Sequence, residues 1–125
     1  MHTVYRIETA DGKGVCRAMG SPLCRLYALT GSREVERCSF DDPTYKEYRL
    51  CQDKHMRFAF PSLDALRSWF PSAQGRAVME RHGAMLVPYT VEKLELASPY
   101  QCIFDRSTAT RGEPLDLATL ETEHV

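Results

Sequence analysis

Polar and apolar residues alternate through HTVYRIE, residues 2–8, at the period of two expected of a strand with one buried face. ADGKG, residues 10–14, signals a turn, and VCRAM is a candidate return strand. SPLCRLYALTG, residues 21–31, changes to helical spacing, with Ser21 as cap, Pro22 in the first turn and Gly31 at the end. Residues 32–55 hold no clear period: EVERCSF suits a strand, DDPTY a loop, and KEYRLC either helix or strand. MRFAF, residues 56–60, reads as a strand that stops at Pro61. The pattern then predicts a helix capped by Ser62 over residues 63–70, with Leu63, Leu66, Trp69 and Phe70 as its buried stripe. A second helix is predicted over residues 72–83, weakened by Gly75 and closed by Gly83. Residues 84–96 form a strand or kinked pair, where Pro88 suggests an edge or a bend. ASPY turns the chain, and QCIFD, residues 101–105, pairs back as a hairpin. The expectation is an α+β fold: a small mixed or antiparallel sheet with two to four short helices. Residues 1–105 form one domain, and residues 106–125 a polar C-terminal tail or terminal helix.

Charge narrows the function classes. Sixteen Lys and Arg against seventeen Asp and Glu give a net charge of −1, with no overall drive toward nucleic acid or an anionic membrane. No apolar run reaches membrane-span length, and the first residues lack a signal-peptide core, so a cytoplasmic location is expected. Cys16, Cys24, Cys38, Cys51 and Cys102 are odd in number and make no C-x-x-C pair, which fits reduced thiols. His2, His55, His82 and His124 are scattered, so no metal site is expected. DGKG lacks the spacing of a phosphate-binding loop, and no G-x-S-x-G elbow occurs.

Three polar residues remain. Arg6 lies inside the first strand, Ser62 at a strand-to-helix joint, and Gln101 at the opening of the last strand. Their plain readings are an outward strand residue, a helix cap and a solvent-facing strand residue. In that order they also resemble the motifs of ADP-ribosyltransferases: VYRIE is similar to the first motif strand of the arginine-type family, FAFPS to its aromatic-to-serine strand, and PYQCIF to its late catalytic strand. The resemblance implies NAD or ADP-ribose-type nucleotide binding, with Arg6 on phosphate or ribose, Ser62 at the nicotinamide end, and Tyr5 or Tyr100 stacking. It puts Gln101 in the place of the catalytic glutamate. Glutamine hydrogen-bonds a ribose hydroxyl but carries no charge to stabilise an oxocarbenium ion, which weakens the transferase expectation. The chain also resembles small proteins of bacterial viruses through its F-x-SL-x-x-L-x-x-WF segment. The alternative function is therefore a non-catalytic phage-encoded inhibitor that binds a host defence protein.

Overall fold

A computed structural model describes residues 1–10, 55–70, 72–97 and 101–117. The expected elements within residues 11–54, four of the five cysteines, His124 and Tyr100 lie outside the described residues. The described elements run β1 (His2–Glu8), β2 (Met56–Ala59), α1 (Leu63–Trp69), α2 (Ala73–Arg81), β3 (Met85–Val91), β4 (Leu96–Ala97), β5 (Cys102–Asp105), a 3-10 turn (Arg106–Thr108) and β6 (Thr110–Arg111). Among the described residues all strand pairs are antiparallel, in two three-stranded sheets ordered β1-β3-β6 and β2-β5-β4. The fold is α+β, as the alternation of periods predicts.

Among the described residues a single bridge joins the sheets. Tyr5 donates to the Phe60 carbonyl at 2.9 Å, and Phe60 donates back to the Tyr5 carbonyl at 2.7 Å. This fixes the parity of β1: Tyr5 directs both backbone groups away from β3, and so do Thr3 and Ile7. Apolar residues then sort to the two faces. Ile7 and Phe60 pack with Leu66, Trp69 and Phe70 of the α1 segment, Met79 of α2, and Leu117. Val4, Ala59, Val87, Tyr89, Cys102 and Phe104 pack on the other face. Phe60 meets both aromatic rings of the α1 segment edge-on, at 5.7 Å from Trp69 and 6.2 Å from Phe70.

Both helices begin on a serine. Ser62 Oγ accepts from the Ala65 amide and Ser72 Oγ from the Gly75 amide, each at 3.0 Å. Gly83, at φ +102°, closes α2 in the left-handed conformation that glycine tolerates. Arg76 is wholly buried and donates to the Phe70 carbonyl at 2.5 Å, which ties α2 to the C-terminal end of α1.

Two expectations need correction. Pro88 does not mark an edge, because β3 is the middle strand of its sheet. It is tolerated because it faces Tyr5 at a position where β1 asks for no hydrogen bond, while on its other side it has only to accept, from the Gly112 amide. There the partner strand pairs through Thr110, Arg111 and Gly112, then slips by one residue before Leu115 meets Leu86. Gly112 keeps that register and donates to the Pro88 carbonyl at 2.8 Å. The chain after Asp105 is likewise no free tail up to residue 117. It supplies β6, and Leu117 is buried among core residues with its amide on Glu80 Oε2 at 2.7 Å.

Candidate functional site

The bridge at Tyr5 and Phe60 determines where each candidate residue stands. Continued in register, β2 would pair Ser62 with Thr3. Instead Pro61 leads the chain into α1, and the two strands part. The opening is a depression of about 320 Å³ lined by Thr3, Tyr5, Pro61, Ser62, Leu63, Asp64 and Arg67. We call it the fork. It brings together two of the expected ligand residues, Tyr5 and Ser62. The Ser62 hydroxyl caps α1 as acceptor and keeps its own proton to donate. Arg67 and Asp64 form an ion pair at the rim, where Asp64 is 81% exposed.

Arg6 does not join them. It follows Tyr5 in an extended strand, so its side chain emerges from the opposite face. It is 7% exposed rather than outward, and donates through Nε to Glu8 Oε2 at 2.9 Å and through Nη1 to the Phe58 carbonyl at 2.7 Å. The second bond satisfies a β2 carbonyl that the single-bridge seam leaves beside β1. Glu8, 1% exposed, also accepts from the Tyr89 hydroxyl at 2.8 Å, and Arg111 Nε stands 3.5 Å from it. One buried carboxylate thus gathers groups from β1, β3 and β6. Burial pulls the Arg6 guanidinium below its ordinary value, opposed by the Glu8 charge. Burial, and then the bond to the Glu8 carboxylate, push the Tyr89 phenol up. The signal for this cluster is present in the sequence: Arg6 and Glu8, two apart in a strand, share a face.

Gln101 is not solvent-facing either. It is 5% exposed, one residue beyond the Ala59–Cys102 pair, and so beside Phe60 rather than in the fork lining. Cys102 is a free, buried thiol that donates to the Ala59 carbonyl at 3.4 Å. Among the described residues no three His, Cys, Asp or Glu side chains cluster as metal ligands, and no helix is long and apolar enough to cross a membrane.

No curated protein and no solved structure matches the chain. The Bacteriophage T4 Y00F protein family matches it over residues 1–118, nearly its whole length, and this small phage protein belongs to that family.

Proposed function

We propose that the protein is a non-catalytic phage inhibitor that binds a host defence protein. The observation that carries this reading is the position of Arg6. An arginine that serves a ligand phosphate needs donors facing an open cleft. Arg6 is held between Glu8 and the Phe58 carbonyl, on the face of β1 opposite the fork. The family supports the same direction, since a phage protein acts in a cell full of host proteins. The test is plating efficiency. A phage deleted for the gene should form fewer plaques on a host carrying the target defence system, equal numbers on a host without it, and recover when the protein is supplied in trans. Equal plating on every defence-carrying host tried would overturn the reading.

A second reading has one observation in its favour: Tyr5 and Ser62 line the same depression. A nucleotide such as NAD or ADP-ribose would stack on Tyr5 and hydrogen-bond Ser62, with Arg67 as the nearby cation in place of Arg6. Saturable calorimetric binding of either ligand, lost in Tyr5→Ala, would support it.

A further inference from the structure

We infer that the fork is a strand-addition site, where an extended segment of a partner polypeptide pairs with the backbone of Thr3. The inference rests on the protein-binding reading and names the surface and the partner's conformation. The parity set by the Tyr5–Phe60 bridge directs the Thr3 N–H and C=O toward the fork. The residue that would satisfy them in register, Ser62, has left to cap α1. On the opposite side of the bridge Arg6 donates to the Phe58 carbonyl. At that end Ile7 is buried, whereas at the other end Thr3 is exposed.

An aligned donor and acceptor on a strand edge match the backbone of an extended chain. The rim favours such a chain over a nucleotide. Asp64 already holds Arg67, so the pair offers no net positive charge to a pyrophosphate. The flanking surfaces of Tyr5, Pro61 and Leu63 supply half-buried apolar contact for alternate side chains.

Thr3→Pro, read against Thr3→Ala as the side-chain control, reports the backbone contribution. It removes the N–H that points into the fork and leaves the β1–β3 bonds of His2 and Val4 intact. The full chain, wild type and Thr3→Pro, is panned against a display library of short random peptides. A recovered peptide is then synthesised with and without N-methylation at alternate residues. The expected result is binding weakened about tenfold by Thr3→Pro, and similarly by N-methylation, the scale of one lost backbone hydrogen bond with its partner left unpaired. Hydrogen exchange at the Thr3 amide should slow in the complex, with Val4 unchanged. The methylated peptide tests the same hydrogen bonds without a protein variant, should Thr3→Pro fail to fold. Recovery of no peptide, binding indifferent to both changes, or slowed Thr3 exchange with NAD or ADP-ribose but no peptide would overturn the inference. If Thr3→Pro still restores plating on the defence-carrying host, the inhibitor reading stands and strand addition falls.

Discussion

Arg6 and Glu8 illustrate how a buried ion pair makes a residue structural. Such a pair contributes little net stability against an apolar replacement, yet removing one partner leaves a charge in a medium that cannot solvate it. Arg6→Ala should therefore cost about 3–5 kcal/mol in urea denaturation. Tyr89 adds a pH dependence. Its folded pKa lies above its ordinary value of about 10, so its contribution is complete below that value and is lost as pH rises through the folded one. Melting temperature should fall more steeply in alkali for wild type than for Tyr89→Phe; parallel curves would show that the phenol makes no such contribution. The strand around Arg6 is legible in the sequence because its apolar residues alternate. The burial of Arg6 and Glu8 is not, because a charged pair on a strand has the same pattern whether water or a second layer covers it. The RIE spacing puts the charges on one face and says nothing of which face is inside.

At the level of elements, local chemistry is the most readable part. Residues 63–69 form the helix that the break at Pro61, Ser62 and the apolar spacing require. Ser62→Ala should cost about 1 kcal/mol, and Ser62→Asp should retain most of it, as thermal melts would show. Pro88 departs from its expected edge position because a proline's tolerance depends on which side of the strand its missing N–H faces. That parity is set by Phe60, distant in sequence. The same geometry explains Gly112. A Cβ there would stand 3.0 Å from Pro88 Cγ and 3.2 Å from the Pro88 carbonyl oxygen, both fixed by ring and strand. Gly112→Ala should destabilise by about 1–3 kcal/mol, the range of overpacking. A neutral substitution would mean that β6 shifts freely against β3.

For the whole molecule, the sheets depend on chain that reads as a tail. Its Gly112, Pro114 and many polar residues read as chain that breaks easily, yet Leu115 bridges Leu86 and Leu117 is buried. Truncation after Asp105 should abolish cooperative unfolding, because β6 and the Leu117 contact go together; a truncated chain with an unchanged melt would contradict the packing described. Candidate ligand residues on neighbouring strands are legible as a set, but their convergence is not. Period two turns Tyr5 and Arg6 to opposite faces, and the single-bridge seam leaves Tyr5 at the fork with Ser62 while Arg6 donates to the Phe58 carbonyl. The most direct measurement is calorimetric titration of NAD and of ADP-ribose into the full chain at millimolar ligand. With Arg6 held in the buried seam and the fork given to a polypeptide partner, no saturable heat is expected. Saturable binding that disappears in a folded Arg6→Lys variant would contradict this assignment.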